Sequence, residues 1–255
     1  DVFTPTETGE IPVLPMTAKD ELSFKTPDAM ISGQATVDVI KSCIPNLLDP
    51  WKMVNYDTDA ILLAIRIATY GETMNITYKV PTINEEMEHT VNLPAILEEF
   101  GKIDVVDTAS TKKGFKFKVA PLDYKSLTAV QVAQFEQQKI YVTVNNSAMT
   151  EDQKSKQFAK SFAVLNNINF GMLVDSITEI TTPGGDTVTD KAQIKDFCEN
   201  CEASLVNEIQ EELSKIRTQA QTKPLKLKAT EEQIKKGAPA SYEVPVTFDN
   251  SNFFG

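Results

Sequence analysis

The sequence predicts an α+β fold, mainly helical with several short β-hairpins, built as one connected unit rather than two beads on a linker. Three observations predict it. Val37, Ile40 and Ile44 recur at helical spacing. Residues 61–68 are apolar on almost every side of a helix, which marks a central, buried one. Short alternating runs at 73–80, 88–92, 225–228 and 242–246 are bounded by turn residues.

Residues 1–16 carry Pro5, Pro12 and Pro15 around Gly9, so they cannot be helical and read as an extended N-terminal arm. The main domain is expected over 17–247. Thr17 and Asp20 form a capping-box variant opening a short helix, and Thr26-Pro27-Asp28 sets proline at the first position of another. After Gly33 an amphipathic helix runs to about Ile44. Asp57 or Thr58 is expected to cap the buried helix, and Gly71 to stop it. Strands at 73–80 and 88–92 flank a polar loop, and a capped helix follows from 94 to 100.

Residues 104–106 and 115–119 read as a hairpin around Lys112-Lys113-Gly114. Leu127, Val130, Val132 and Phe135 fit a helix over 122–139, whereas the β-branched run 140–144 is open between strand and extended linker. Thr150 starts a long helix to about Leu173, with Phe158, Phe162 and Leu165 assigned to one face. A strand at 176–181, a turn at Pro183-Gly-Gly185 and a helix capped by Asp190 follow. The next helix, 204–220, alternates Glu and Lys on its exposed side. The closing strands enclose a polar segment, 229–239, so 73–92 and 224–247 are expected to form a small β subdomain. Residues 248–255 form an aromatic C-terminal tail.

Composition narrows the function. The 255 residues are 41% apolar and 24% charged, enough to bury roughly 75% of the unfolded surface without a stabilising metal or disulfide. A net charge of -11 repels phosphate, so neither nucleic acid nor an anionic membrane is an expected partner. The longest apolar stretch, 61–68, is broken by Arg66 and is far shorter than a membrane span. Three cysteines, one of them isolated at Cys43, suit a reducing compartment better than a disulfide framework. The chain opens on Asp1, so an initiator Met is expected upstream or removed.

The chemistry-bearing residues do not assemble a catalytic set. The single His89 lies among strand residues, without a sequence-supported nucleophile or orienting acid. Cys198-Glu-Asn-Cys201 has redox spacing, yet it falls near a helix C-terminus, where the dipole opposes a thiolate; packed structural thiols are the expectation. Gly184-Gly185 lacks the Lys-Ser/Thr of a phosphate loop, and Glu85, Glu86 and Glu88 read as a solvated loop. Arg66 in its apolar helix reads as a structural buried charge, for which Asp57 and Asp59 are candidate partners. Phe248, Phe253 and Phe254 are the candidate partner-binding residues, because terminal aromatics gain area only by packing on something. Their alternative is to fold back on this chain's own core. No catalytic residue, metal ligand or cofactor is assigned.

Four phrases in order carry a resemblance: Leu14-Pro-Met-Thr-Ala-Lys-Asp-Glu-Leu22, Thr26-Pro-Asp-Ala-Met-Ile-Ser-Gly33, Ala60-Ile-Leu-Leu-Ala-Ile-Arg-Ile-Ala-Thr-Tyr-Gly71 and Val246-Thr-Phe-Asp-Asn-Ser-Asn-Phe-Phe-Gly255. Together the chain resembles the baseplate hub and baseplate assembly family of T4-like contractile-tail bacteriophages. Members of that family often carry Cys-Pro-x-Cys knuckles where this chain has Lys79-Val-Pro81, and again near 227–242. This chain has no cysteine at either place, so zinc is not carried over. The resemblance then implies degenerate, metal-free zinc-ribbon-like hairpins held by ordinary packing.

It also implies a structural or assembly subunit acting by protein contacts near the hub of the tail baseplate, made in the host cytoplasm. Its partners would be other baseplate and tail proteins in an oligomeric assembly. Residues 37–70 would form the core, while the arm and aromatic tail reach neighbours. The alternatives are a chaperone absent from the mature particle and a thiol redox protein using the CxxC.

Overall fold

The computed structural model describes residues 2–24, 31–102, 106–145, 149–219 and 223–246, with backbone only for 217–219. Thr26-Pro27-Asp28, Asp104 and the tail phenylalanines Phe248, Phe253 and Phe254 lie outside the described residues.

Helix α1 (Ala18–Phe24) opens with Thr17 and Asp20 bonded reciprocally: the Thr17 N–H donates to Asp20 Oδ2 at 2.8 Å and the Asp20 N–H to Thr17 Oγ1 at 3.3 Å. Helix α2 (Gln34–Cys43) buries Val37 and Ile40, and Ile44 just beyond it, at the periodicity read from sequence. A 3-10 turn (Pro50–Lys52) precedes α3 (Asn55–Tyr70). Neither Asp57 nor Thr58 caps α3. The helix starts earlier, after Val54, which bridges to Asp123; the Thr58 hydroxyl instead donates back to the Val54 carbonyl at 3.2 Å. Gly71, at φ 93°, ends it.

Strands β1 (Thr73–Lys79) and β2 (Glu86–Asn92) pair antiparallel, with Ile76 opposite His89, and lead into α4 (Leu93–Phe100), capped by Asn92. Ile40, Ile44, Met53, Leu63, Ile65 and Leu93 are fully buried in this first core. Residues 2–14 meet it at both ends, with a turn at 7–9 between: the Thr4 N–H donates to the Asn46 carbonyl and the Leu14 N–H to that of Cys43, both at 2.8 Å.

The second core lies under a four-stranded antiparallel sheet in sequential order, β3 (Thr108–Ser110), β4 (Lys116–Val119), β5 (Ile177–Thr181) and β6 (Thr187–Val188). The first described strand of this sheet falls at 108–110; of the expected strand 104–106, only Val106 lies among the described residues, and it is not in a strand. A tight turn follows it: the Thr111 N–H donates to the Phe115 carbonyl at 2.9 Å, Gly114 takes φ 84°, and Ser110 is set opposite Lys116. Phe117, Ile177 and Ile180 from the sheet meet Ile194 and Cys198 of α7 (Lys191–Asn200) and Leu205, Ile209 and Leu213 of α8 (Ala203–Gln219).

Two long helices, α5 (Tyr124–Asn145) and α6 (Glu151–Ser176), stand between the cores. The β-branched run 140–144 is helical, so the strand alternative is corrected. At the far end, β7 (Leu225–Lys228) and β8 (Ser241–Val244) form a hairpin. The segment between them, expected to be merely polar, contains α9 (Glu231–Lys235) with a Thr230–Gln233 capping box. The architecture is α+β, mainly helical with short antiparallel hairpins, as the sequence predicts.

Candidate protein interface

Val80, Ala238, Tyr242 and Val244 are buried where the β1–β2 and β7–β8 hairpins meet, with Ile83, Met87 and Leu227 packed around them. Between these turns a zinc ribbon would hold its ion, but aliphatic and aromatic side chains occupy the space and offer no metal ligand. The residues present do not fit zinc. Among all described residues, no three His, Cys, Asp or Glu side chains converge on a metal-sized position.

The thiols are set for packing. Cys198 is buried at the C-terminal end of α7, and burial pushes its pKa up to about 11. Burial also raises Cys201, and it takes Cys43 up to about 11. The hollow beside Cys201 is lined by α7 residues such as Gln193, Asp196 and Asn200 and gathers no second reactive group. His89 is a half-buried ladder residue.

Arg66 forms an ion pair with neither Asp57 nor Asp59. Its Nε and one Nη are buried without a hydrogen-bond partner, and its guanidinium sits 4.4 Å from the centre of the Tyr70 ring. The Tyr70 hydroxyl in turn donates to Glu21 Oε1 at 2.6 Å, tying the end of α3 to α1.

The feature that sequence reading missed is the α5–α6 pair. Among the half-buried and buried positions, a series on α5 at Ser126, Val130, Ala133, Gln137, Ile140 and Val144 alternates four and three apart, and so does a series on α6 at Lys154, Phe158, Ser161, Leu165, Ile168 and Met172. That spacing is a coiled-coil seam. Gln137 donates to Ser161 Oγ at 2.7 Å and so sets the antiparallel register, which brings Ile140 level with Phe158 and Ala133 level with Leu165.

At its base the pair docks through Tyr124, which stacks on Trp51 at 5.7 Å and donates its N–H to the Met53 carbonyl at 2.7 Å. Beyond that base the helices mainly touch each other. Phe135, Tyr141, Val142, Phe162 and Val164 are exposed there. Phe162 therefore does not share the buried face of Phe158 and Leu165. It sits one residue past the seam, and a seven-residue count would have separated it.

Exposed aromatics on a projecting two-helix pair are the features of a surface that docks to other proteins. The family model described as T4 bacteriophage base plate protein matches residues 3–237, nearly the whole chain. The chain belongs to that family. Neither a curated protein nor a solved structure gave a match. Its role is that of a non-enzymatic structural or assembly component of a phage baseplate, exercised through contacts with other baseplate and tail components.

Proposed function

We propose that this chain is a resident subunit near the baseplate hub that binds neighbouring baseplate and tail proteins, within an oligomeric assembly, through the projecting α5–α6 hairpin. One observation carries this reading: a two-helix arm leaves Phe135, Tyr141, Val142, Phe162 and Val164 in water, although each would gain by burial. The terminal Phe248, Phe253 and Phe254 supply a second contact, and the subunit is made in the host cytoplasm before it is incorporated. The acidic balance favours protein partners over nucleic acid. No helix among the described residues is long and apolar enough to cross a membrane.

Lysine-directed cross-linking of purified baseplates tests the reading, because Lys139, Lys154, Lys156 and Lys160 sit on the hairpin. Cross-links from these lysines to other baseplate chains are the expected result. Baseplates that contain the chain but yield cross-links only from its remaining lysines would overturn the hairpin's role.

A further inference from the structure

The seam divides the hairpin into two unlike faces. In an antiparallel coiled coil, residues one past the inner seam positions lie on one side of both helices. On that side stand Gln134, Gln138 and Tyr141 from α5 and Phe162, Asn166 and Asn169 from α6, all exposed; Tyr141 is 58% accessible and Phe162 57%. No charged residue occupies this face over 131–145 of α5 or 155–169 of α6, in a chain that is 24% charged. Glu136, Lys139 and Lys160 all fall on the opposite side of the seam. The nearest charge, Asp152 at the tip, is paired with Lys156 at 2.6 Å.

Depletion of charge together with Tyr and Phe enrichment is the composition of an interface centre, whereas a solvated helix face carries Lys and Glu. Resting on the reading of the hairpin as a contact arm, we infer that this face binds the same face of a second copy of the chain about a two-fold axis. Two properties select that occupant. Side-chain amides both donate and accept, so a Gln/Asn face with interspersed aromatics is complementary to itself under two-fold symmetry. Two copies of a chain carrying -11 repel each other over most of their surfaces, and this face brings no like charges together.

Sedimentation velocity of the purified full chain over a dilution series tests this. The expected species is a dimer of the 28.2 kDa chain. Gln134→Glu with Gln138→Glu places isosteric charges on the face, keeps good helix formers, and should weaken dimerisation at least tenfold with unchanged circular dichroism. Gln157→Glu, an equally exposed and isosteric change on the charged side, should leave the dimer intact. A monomer at every concentration, or a dimer indifferent to the paired substitution, overturns the inference. A monomer whose hairpin lysines still cross-link to other baseplate chains overturns self-association alone and leaves the contact-arm reading standing.

Discussion

Tyr78 and Tyr242, 164 positions apart in the chain, share a hydroxyl-to-hydroxyl hydrogen bond of 3.2 Å across the junction of the two terminal hairpins. Burial, followed by this bond, pushes the Tyr242 pKa up to about 12, so its hydroxyl stays protonated across the physiological range. Around it, Val80, Ala238 and Val244 are buried, and Lys236 pairs with Glu85 at 3.0 Å. Tyr242→Phe is expected to cost about 0.5–1.5 kcal/mol in urea unfolding. Tyr78→Phe should add little to it, because both remove the same bond. Tyr242→Ala, which empties the junction, should cost about 3–5 kcal/mol.

Gly33, just before α2, lies close against α5. It takes φ 72°, and a Cβ there would lie 2.9 Å from Thr128 Cγ2 and 3.2 Å from the Tyr124 ring. Thr128 is stiff within its helix and has little room to yield. Gly33→Ala should therefore exceed the roughly 1–2 kcal/mol that the left-handed backbone alone costs an L-residue. Gly9→Ala has nearly the same φ, 75°, with nothing within 4 Å, and should show the backbone cost alone. Thermal unfolding of the two variants separates the contribution of close packing.

Asp59 gives a pH signature. Burial without a compensating partner raises its pKa to about 6, against about 3.9 when unfolded. Between these values the folded chain holds more protons than the unfolded one, so this group's contribution to stability falls as pH rises from about 4 to about 6 and is level above that. Asp59→Asn should raise stability at pH 7 by up to about 3 kcal/mol and leave it unchanged near pH 4. Denaturant melts of both proteins across this range read the difference.

With its pKa near 11, Cys198 is almost wholly protonated at neutral pH. Iodoacetamide should alkylate it roughly two orders of magnitude more slowly in the native chain than in urea. Cys201, less buried but also raised, should react ahead of it. Rapid, selective native labelling of Cys198, followed by mass spectrometry, would revive a thiol reaction.

Arg66 contributes as a cation over Tyr70, with two buried nitrogens lacking acceptors. Losing the cation–π contact costs about 0.5–1 kcal/mol, while removing unpaired buried donors offsets part of that. Arg66→Met should accordingly stay within about 1 kcal/mol of the parent in urea unfolding.

In the first core the opening of α1, the helical period of α2 and the stop of α3 were readable because each is a local signal, whereas the start of α3, which has no side-chain cap, was not. Thr17 with Asp20, Val37-Ile40-Ile44 and Gly71 mean the same thing in sequence and in space. Two further features were not readable for physical reasons. The β-branched run 140–144 favours strand by local preference, but Ile140 and Val144 fill seam positions opposite α6, and tertiary packing decided for helix. Helix α9 has a complete capping box yet only five residues, too few for periodicity to register.

The contact surface was hidden by the usual rule that large apolar residues lie inside. Phe135 and Phe162 are indistinguishable from core in composition; a seven-residue count sets them off the seam, and the structure shows them turned outward. Likewise, Arg66 invited a carboxylate partner, and spacing along α3 could not show that Asp57 and Asp59 are out of reach.

The central claim is that the chain is a resident baseplate subunit working by contact. Quantitative mass spectrometry of purified infectious particles, referenced to an established baseplate protein, tests it most directly. The claim predicts the chain at a fixed stoichiometric ratio to that reference; its absence from mature particles, with abundance in assembly intermediates, would contradict residence and identify a helper that leaves.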